Sequence, residues 1–88
     1  MNDFVLNQNY PNPFNPTTII QYSIGKMQFV SLKIYNMLGE EVATLVNGEK
    51  NAGNYIINFN GNNLASGTYI YRLTAGNRIM TKKMILLK

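Results

Sequence analysis

From Thr17 onward the apolar residues fall on every second position: Ile20, Tyr22 and Ile24 share one face, and Gln21 and Ser23 the other. A period of two is the pleat of a strand with one face on a core. After a turn at Gly25-Lys26, Val30, Leu32 and Ile34 alternate with Ser31 and Lys33 as far as Tyr35, and the short gap predicts that these two strands form a meander. Asn36-Met37-Leu38-Gly39 reads as a hairpin loop in which Gly39 takes the positive φ that closes a type I turn with a bulge. Glu41 to Val46 returns as a strand. Asn47-Gly48 and Ala52-Gly53 then bound a polar loop, after which Tyr55, Ile57 and Phe59 alternate with Ile56 and Asn58. Asn60-Gly61-Asn62-Asn63 is a turn cluster, and Ser66-Gly67 opens a strand with Tyr69, Tyr71 and Leu73 on one face and Ile70, Arg72 and Thr74 on the other. Gly76-Asn77 makes a two-residue hairpin turn into the last strand, Arg78 to Leu87, with Met80, Met84 and Leu86 inward and Lys83 outward. Lys82 falls on the inward register, which predicts a bulge or an edge position there.

Ahead of these strands, Tyr10-Pro11-Asn12-Pro13-Phe14-Asn15-Pro16 sets prolines at alternating or near-alternating positions. Each fixes φ and lacks an amide donor, so the segment reads as a stiff arm with Tyr10 and Phe14 available to dock on a core. With a short strand around Phe4 to Leu6, the pattern gives about seven strands, turns at regular intervals and no helical period. That is the signature of an all-β, antiparallel, immunoglobulin-like β-sandwich. The 88 residues hold one domain: a short strand or linker over residues 1–9, the arm over 10–18 and the sandwich body over 19–88. No internal repeat or low-complexity run interrupts it.

Composition narrows the chemistry. Hydrophobic residues make up 45% of the chain and charged residues 14%, proportions of a packed domain and not of a disordered tail. Cysteine and histidine are absent, which removes disulfides, thiolate sites, the usual base near neutral pH and the commonest transition-metal ligand. The acidic residues are Asp3, Glu40, Glu41 and Glu49, and the adjacent pair would point to opposite faces of a strand, so neither a two-carboxylate mechanism nor a calcium cage is expected. The glycines sit singly in turns, without the strand-to-helix setting of a phosphate loop. No cofactor is expected.

The net charge of +4 comes mainly from the distal third, at Arg72, Arg78, Lys82, Lys83 and Lys88. Lysines that keep a strand edge soluble account for this better than nucleic-acid binding does. No apolar run is long enough to cross a bilayer, and Met-Asn-Asp-Phe does not open a signal peptide, so export would rely on a signal carried by a longer parent. The tyrosines, set within alternating strands, read as core more readily than as a sugar-stacking platform.

Three stretches together resemble a known family. They are Asn9-Tyr10-Pro11-Asn12-Pro13-Phe14-Asn15-Pro16-Thr17-Thr18, Leu64-Ala65-Ser66-Gly67-Thr68-Tyr69-Ile70-Tyr71-Arg72-Leu73, and the finish Lys82-Lys83-Met84-Ile85-Leu86-Leu87-Lys88. In this order they resemble the type A C-terminal sorting domain of cargo for the type IX secretion system of Bacteroidetes, and Leu32 to Val42 also fits. The resemblance covers Leu6 to Lys88. One position departs from it: Asn36 stands where members of the family often have Asp, which bears on any charge-dependent role there.

The resemblance implies a non-catalytic, seven-stranded immunoglobulin-like domain at the end of a larger secreted protein. Its N-terminally attached cargo would be exported, pass through the periplasm, cross the type IX translocon and reach the outer surface or the medium. A sortase-like surface peptidase would then remove the domain. Neither nucleic acid nor membrane insertion is implied. The residues that carry over as recognition candidates are Pro11, Asn12, Pro13 and Phe14 in the arm, Gly67 and Tyr69, and Lys82, Lys83, Met84 and Lys88 in the tail. On this reading the terminal strand is an exposed edge offered to the translocon for backbone pairing. Exposed edges also allow a weak homodimer. The alternative is an immunoglobulin-like carbohydrate-binding or structural accessory module of a secreted multidomain enzyme.

Overall fold

Strand alternation determines which side chains meet across the two layers. The computed structural model describes residues 4–88, so Asp3 and the rest of the first three residues of the expected N-terminal segment lie outside the described residues. The strands are β1 (Val5–Leu6), β2 (Thr17–Ile24), β3 (Gln28–Tyr35), β4 (Glu41–Lys50), β5 (Gly53–Asn60), β6 (Gly67–Ala75) and β7 (Arg78–Leu86). They form two antiparallel sheets, β1-β2-β5 and β4-β3-β6-β7. This is the expected seven-stranded β-sandwich. In a constant-type immunoglobulin sandwich the fourth strand would join the fifth, whereas here β4 has moved to the edge of β3.

The inward registers are those the alternation predicts. Ile20, Tyr22 and Ile24 from one sheet meet Val30, Leu32, Ile34, Tyr69, Tyr71, Leu73, Met84 and Leu86 from the other. Each fully buried side chain of this size contributes about 1.5–3 kcal/mol relative to exposure. Tyr69 adds an immunoglobulin hallmark: near the start of β6, its hydroxyl donates to the Ala65 carbonyl at 2.7 Å, four residues upstream, as a tyrosine corner does.

Two sequence expectations are corrected, and a third is resolved between its alternatives. β2 and β3 are not a meander: residues 25–27 carry the chain from one sheet to the other. Alternation identifies the buried face of a strand but not its neighbour, and two buried faces can be satisfied by facing each other across layers. Asn47-Gly48 is not a loop boundary, because β4 runs on to Lys50 with Asn47 opposite Ser31 and Gly48 opposite Val30. Pairing with β3 overrides the local turn preference and shortens the connection to Asn51-Ala52. Nor is there a bulge at Lys82; β7 pairs with β6 in unbroken register, and the alternative offered for that residue, an edge strand, is what occurs.

The turns follow their chemistry. Gly39 has φ 86°, and the pairing of β3 with β4 slips beside it between Ile34 and Tyr35. The Asn36 Oδ1 accepts from the amides of Leu38 and Glu40, both at 2.9 Å, while its Nδ2 donates to Glu40 Oε1 at 2.8 Å. The first two bonds need only an acceptor, which Asp would also supply. Gly76 has φ 61° and Asn77 a negative φ, the arrangement of a type II′ hairpin turn.

Candidate recognition site at the arm and the terminal strand

The arm is held because its few free backbone groups find partners on β7. The amide of Phe14 donates to the Ile85 carbonyl and the amide of Leu87 donates to the Phe14 carbonyl, both at 2.9 Å, a parallel bridge between Phe14 and Leu86. Asn12 Oδ1 accepts from the Ile85 amide at 2.9 Å. Upstream, Gln8 Nε2 donates to the Lys83 carbonyl at 2.6 Å and to Asn9 Oδ1 at 2.7 Å. The C-terminal half of β7 is therefore not the open edge that the sequence suggested. Prolines cannot donate to a ladder, but Phe14 between them pairs through its backbone, and Asn12 adds a side-chain bond.

Beneath the arm lies a buried polar cluster. Asn9, 3% exposed, donates its Nδ2 to Thr18 Oγ1 at 3.0 Å and to the Pro11 carbonyl at 3.1 Å, and Thr18 Oγ1 donates to the same carbonyl at 2.9 Å. The Tyr71 hydroxyl joins the cluster to the core: it accepts from the Asn9 amide at 2.8 Å and donates to the Asn7 carbonyl at 2.7 Å. Burial pushes its pKa up to about 12, although the Asn9 amide acts the other way. Tyr10 is paired through its backbone with Ile19, but its ring is 78% exposed and does not dock as expected. Of the two rings, Phe14 turns inward.

The sequence candidates come together. Pro11, Asn12, Pro13 and Phe14 lie along the end of β7; Lys82, Lys83, Met84 and Leu86 stand opposite Tyr71, Ile70, Tyr69 and Gly67. Their exposures divide them. Phe14, Tyr69 and Met84 are buried, Lys82 is half-buried, and Pro11, Asn12, Pro13, Gly67, Lys83 and Lys88 are exposed. Lys88 is engaged, its amide donating to Ser66 Oγ at 3.0 Å and its Nζ to the carbonyls of Asn62 and Leu64 at 2.8 Å. Gly67 has φ 156°, which L side chains rarely adopt, with open space where a Cβ would stand, so its requirement is one of backbone conformation.

Sequence reading missed Gln8, Asn9, Thr18, Gly61 and the linking role of Tyr71. Thr18 carried a signal, as a polar residue on the inward register of β2 beside Ile20. Gly61 carried none: a Cβ there would lie 3.1 Å from Leu86 Cδ2, 3.4 Å from Phe14 Cε2 and 3.6 Å from Phe59 Cε2. We expect Gly61→Ala to destabilise the domain by about 1–3 kcal/mol through overpacking alone. Equilibrium denaturation checks this, and an unchanged midpoint would mean that the cluster yields freely.

The arrangement offers a latched surface. Among the described residues, no group of acidic residues stands in metal-binding array, and the aromatic rings are mostly core: Tyr22, Tyr69 and Tyr71 are buried, which does not favour a sugar platform. Fold and site together define a β-sandwich module whose candidate residues either hold or flank a latch between the N-terminal arm and the last strand. The chain belongs to the secretion system C-terminal sorting domain family, whose model matches residues 8–87. The match starts at Gln8, whose side chain bonds the Lys83 carbonyl of β7, and includes the arm, the tyrosine corner and the whole of β7. No curated protein and no solved structure matches the chain. Membership makes this domain a sorting signal of the type IX system and implies export of the protein that carries it to the cell surface or medium.

Proposed function

We propose that the domain directs N-terminally attached cargo through the type IX translocon after transit of the periplasm, and that the translocon reads the latched arm and terminal strand. The family match over residues 8–87 carries this reading, since it spans the latch from end to end. The roles divide by exposure. Phe14, Tyr69 and Met84 maintain the folded surface, while Pro11, Asn12, Pro13, Lys82 and Lys83 present it to the partner. Gly67 and Lys88 shape the β5–β6 loop end beside it. A sortase-like peptidase acts after passage.

The test fuses this chain behind a signal peptide and a fluorescent reporter, in a bacterium with the type IX machinery and in its translocon-deficient mutant. Reporter on the surface or in the medium of the competent strain alone is the expected result. Retention in both periplasms with the domain folded would reject the proposal. Within the competent strain, the double substitution Lys82→Gln, Lys83→Gln should lower delivery severalfold while leaving the thermal midpoint near that of the parent, because a side chain at an edge contributes little to stability.

A further inference from the structure

The sheet edges are protected unequally. β1 is two residues long, and β7 is covered at its end by Asn12 and Phe14. β4 is broken by two register shifts and carries Glu41, Glu49 and Lys50. Bulges, charges, short length and coverage are the ordinary protections of an edge. β5 has none: Gly53–Asn60 pairs with β2 in unbroken register and contains no proline and no charge.

The groups that β5 leaves open can be assigned. Ile19 and Gln21 of β2 bond backwards, to Tyr10 and to Asn7. By the alternation of an antiparallel ladder, Thr18, Ile20, Tyr22 and Ile24 then bond forwards to Phe59, Ile57, Tyr55 and Gly53. Asn54, Ile56, Asn58 and Asn60 therefore turn their N–H and C=O groups to the open side.

The occupant is indicated by the sequence. Asn54-Tyr55-Ile56-Ile57-Asn58-Phe59-Asn60 reads almost the same in both directions about Ile57. When two copies are related by a two-fold axis at Ile57, Asn54 stands opposite Asn60 and Ile56 opposite Asn58, so the outward-facing residues pair with one another. On the inward side Tyr55 meets Phe59 and Ile57 meets its own copy, an aromatic and a β-branched pair of the kind that stabilises sheets. A slip by one residue would set outward groups against inward ones. Nothing along the strand introduces like charges, although each copy carries a net charge of +4.

We propose that the β5 edge is a self-association surface, on which a second copy of this chain adds its own β5 antiparallel about Ile57 to make one continuous sheet across both copies. The contact is isologous and closes at two copies. The Phe59 end of β5 packs inward on Phe14 of the arm, while the pairing groups of Asn54, Ile56, Asn58 and Asn60 face away from β2.

Sedimentation velocity on this chain, from low micromolar to millimolar concentration, tests the proposal. The expected result is a shift from monomer to dimer as concentration rises. Ile56→Lys, at a position 62% exposed, brings two like charges close to the axis and should raise the dissociation constant about tenfold or more. Leu38→Lys, 85% exposed in the β3–β4 loop, should leave it unchanged. Circular dichroism verifies folding of each variant. Asn58→Pro serves as a second variant, since its N–H faces the open side and no bond to β2 is lost. A monomer at every concentration would overturn the proposal, as would a dimer that survives both edge substitutions.

Discussion

Replacing Phe14 with alanine should remove a large part of the domain's stability. The ring is 2% exposed, meets Phe59 edge-on with centroids 6.1 Å apart, and is closed in by Gly61 and Leu86. Truncating a buried phenylalanine costs about 3–5 kcal/mol. A chain of 88 residues has a total stability of roughly 4–13 kcal/mol on per-residue scaling, so the loss takes from about a quarter of it to the whole. Thermal unfolding followed by circular dichroism should show the midpoint lowered by tens of degrees, at roughly 4–8 °C for each kcal/mol. A shift of only a few degrees would mean that the arm is an ornament on a sandwich stable without it. The backbone bonds of Phe14 to Ile85 and Leu87 depend on the ring's anchorage, so the same variant should release the end of β7 before the domain unfolds.

The second large effect is a contrast between two tyrosines of the same core. Tyr71→Phe deletes the hydroxyl that satisfies the Asn9 amide and the Asn7 carbonyl, and should cost about 1–3 kcal/mol because the Asn9 amide is left buried. Tyr22→Phe removes a buried hydroxyl that has no partner among the described residues. The Tyr22 ring keeps its stacking on Tyr55, at 5.1 Å between centroids and 16° between planes, so this substitution should be neutral or stabilising. Denaturation of the two variants side by side decides it, and equal losses would show that the hydroxyls are not distinguished by their partners.

The same residues set an alkaline limit. Tyr71 is raised to about 12 from an ordinary 10.0, and Tyr22 is raised by burial with a smaller contribution from Tyr55. A group whose folded pKa lies above its unfolded one contributes stability that is complete below the unfolded value and lost as pH rises through the folded one. Above about pH 10 the unfolded chain releases the Tyr71 proton while the folded domain retains it, so the difference in stability between parent and Tyr71→Phe should narrow from there towards pH 12.

The fold was legible wherever one residue decides its own face. The alternation through β2, β3 and β6 placed Ile20, Leu32 and Tyr71 inward, and Gly39 and Gly76 marked their turns. What could not be read depends on residues far apart in the chain. Whether β2 pairs with β3 or faces it is settled by β5 and β6, and Asn47-Gly48 joined a strand because β3 supplies the other side of the ladder. At the candidate site the resemblance identified the participating segments, yet it grouped Lys88 with the tail residues and gave Asn9 and Thr18 no role of their own. Lys88 bonds to a loop more than twenty residues away, and Asn9 gains its importance from Tyr71 across 62 positions. Bonds of that span leave no periodic trace.

On the proposed function, the signal is read from the folded, latched domain. The most direct test is surface delivery of the Phe14→Ala reporter fusion in a type IX-competent strain, at growth temperatures below and above the variant's own midpoint, with the parent fusion as reference. The expected result is delivery of the variant only at the lower temperature and of the parent at both. Equal delivery of the variant at the two temperatures, or failure of the parent at either, would contradict it.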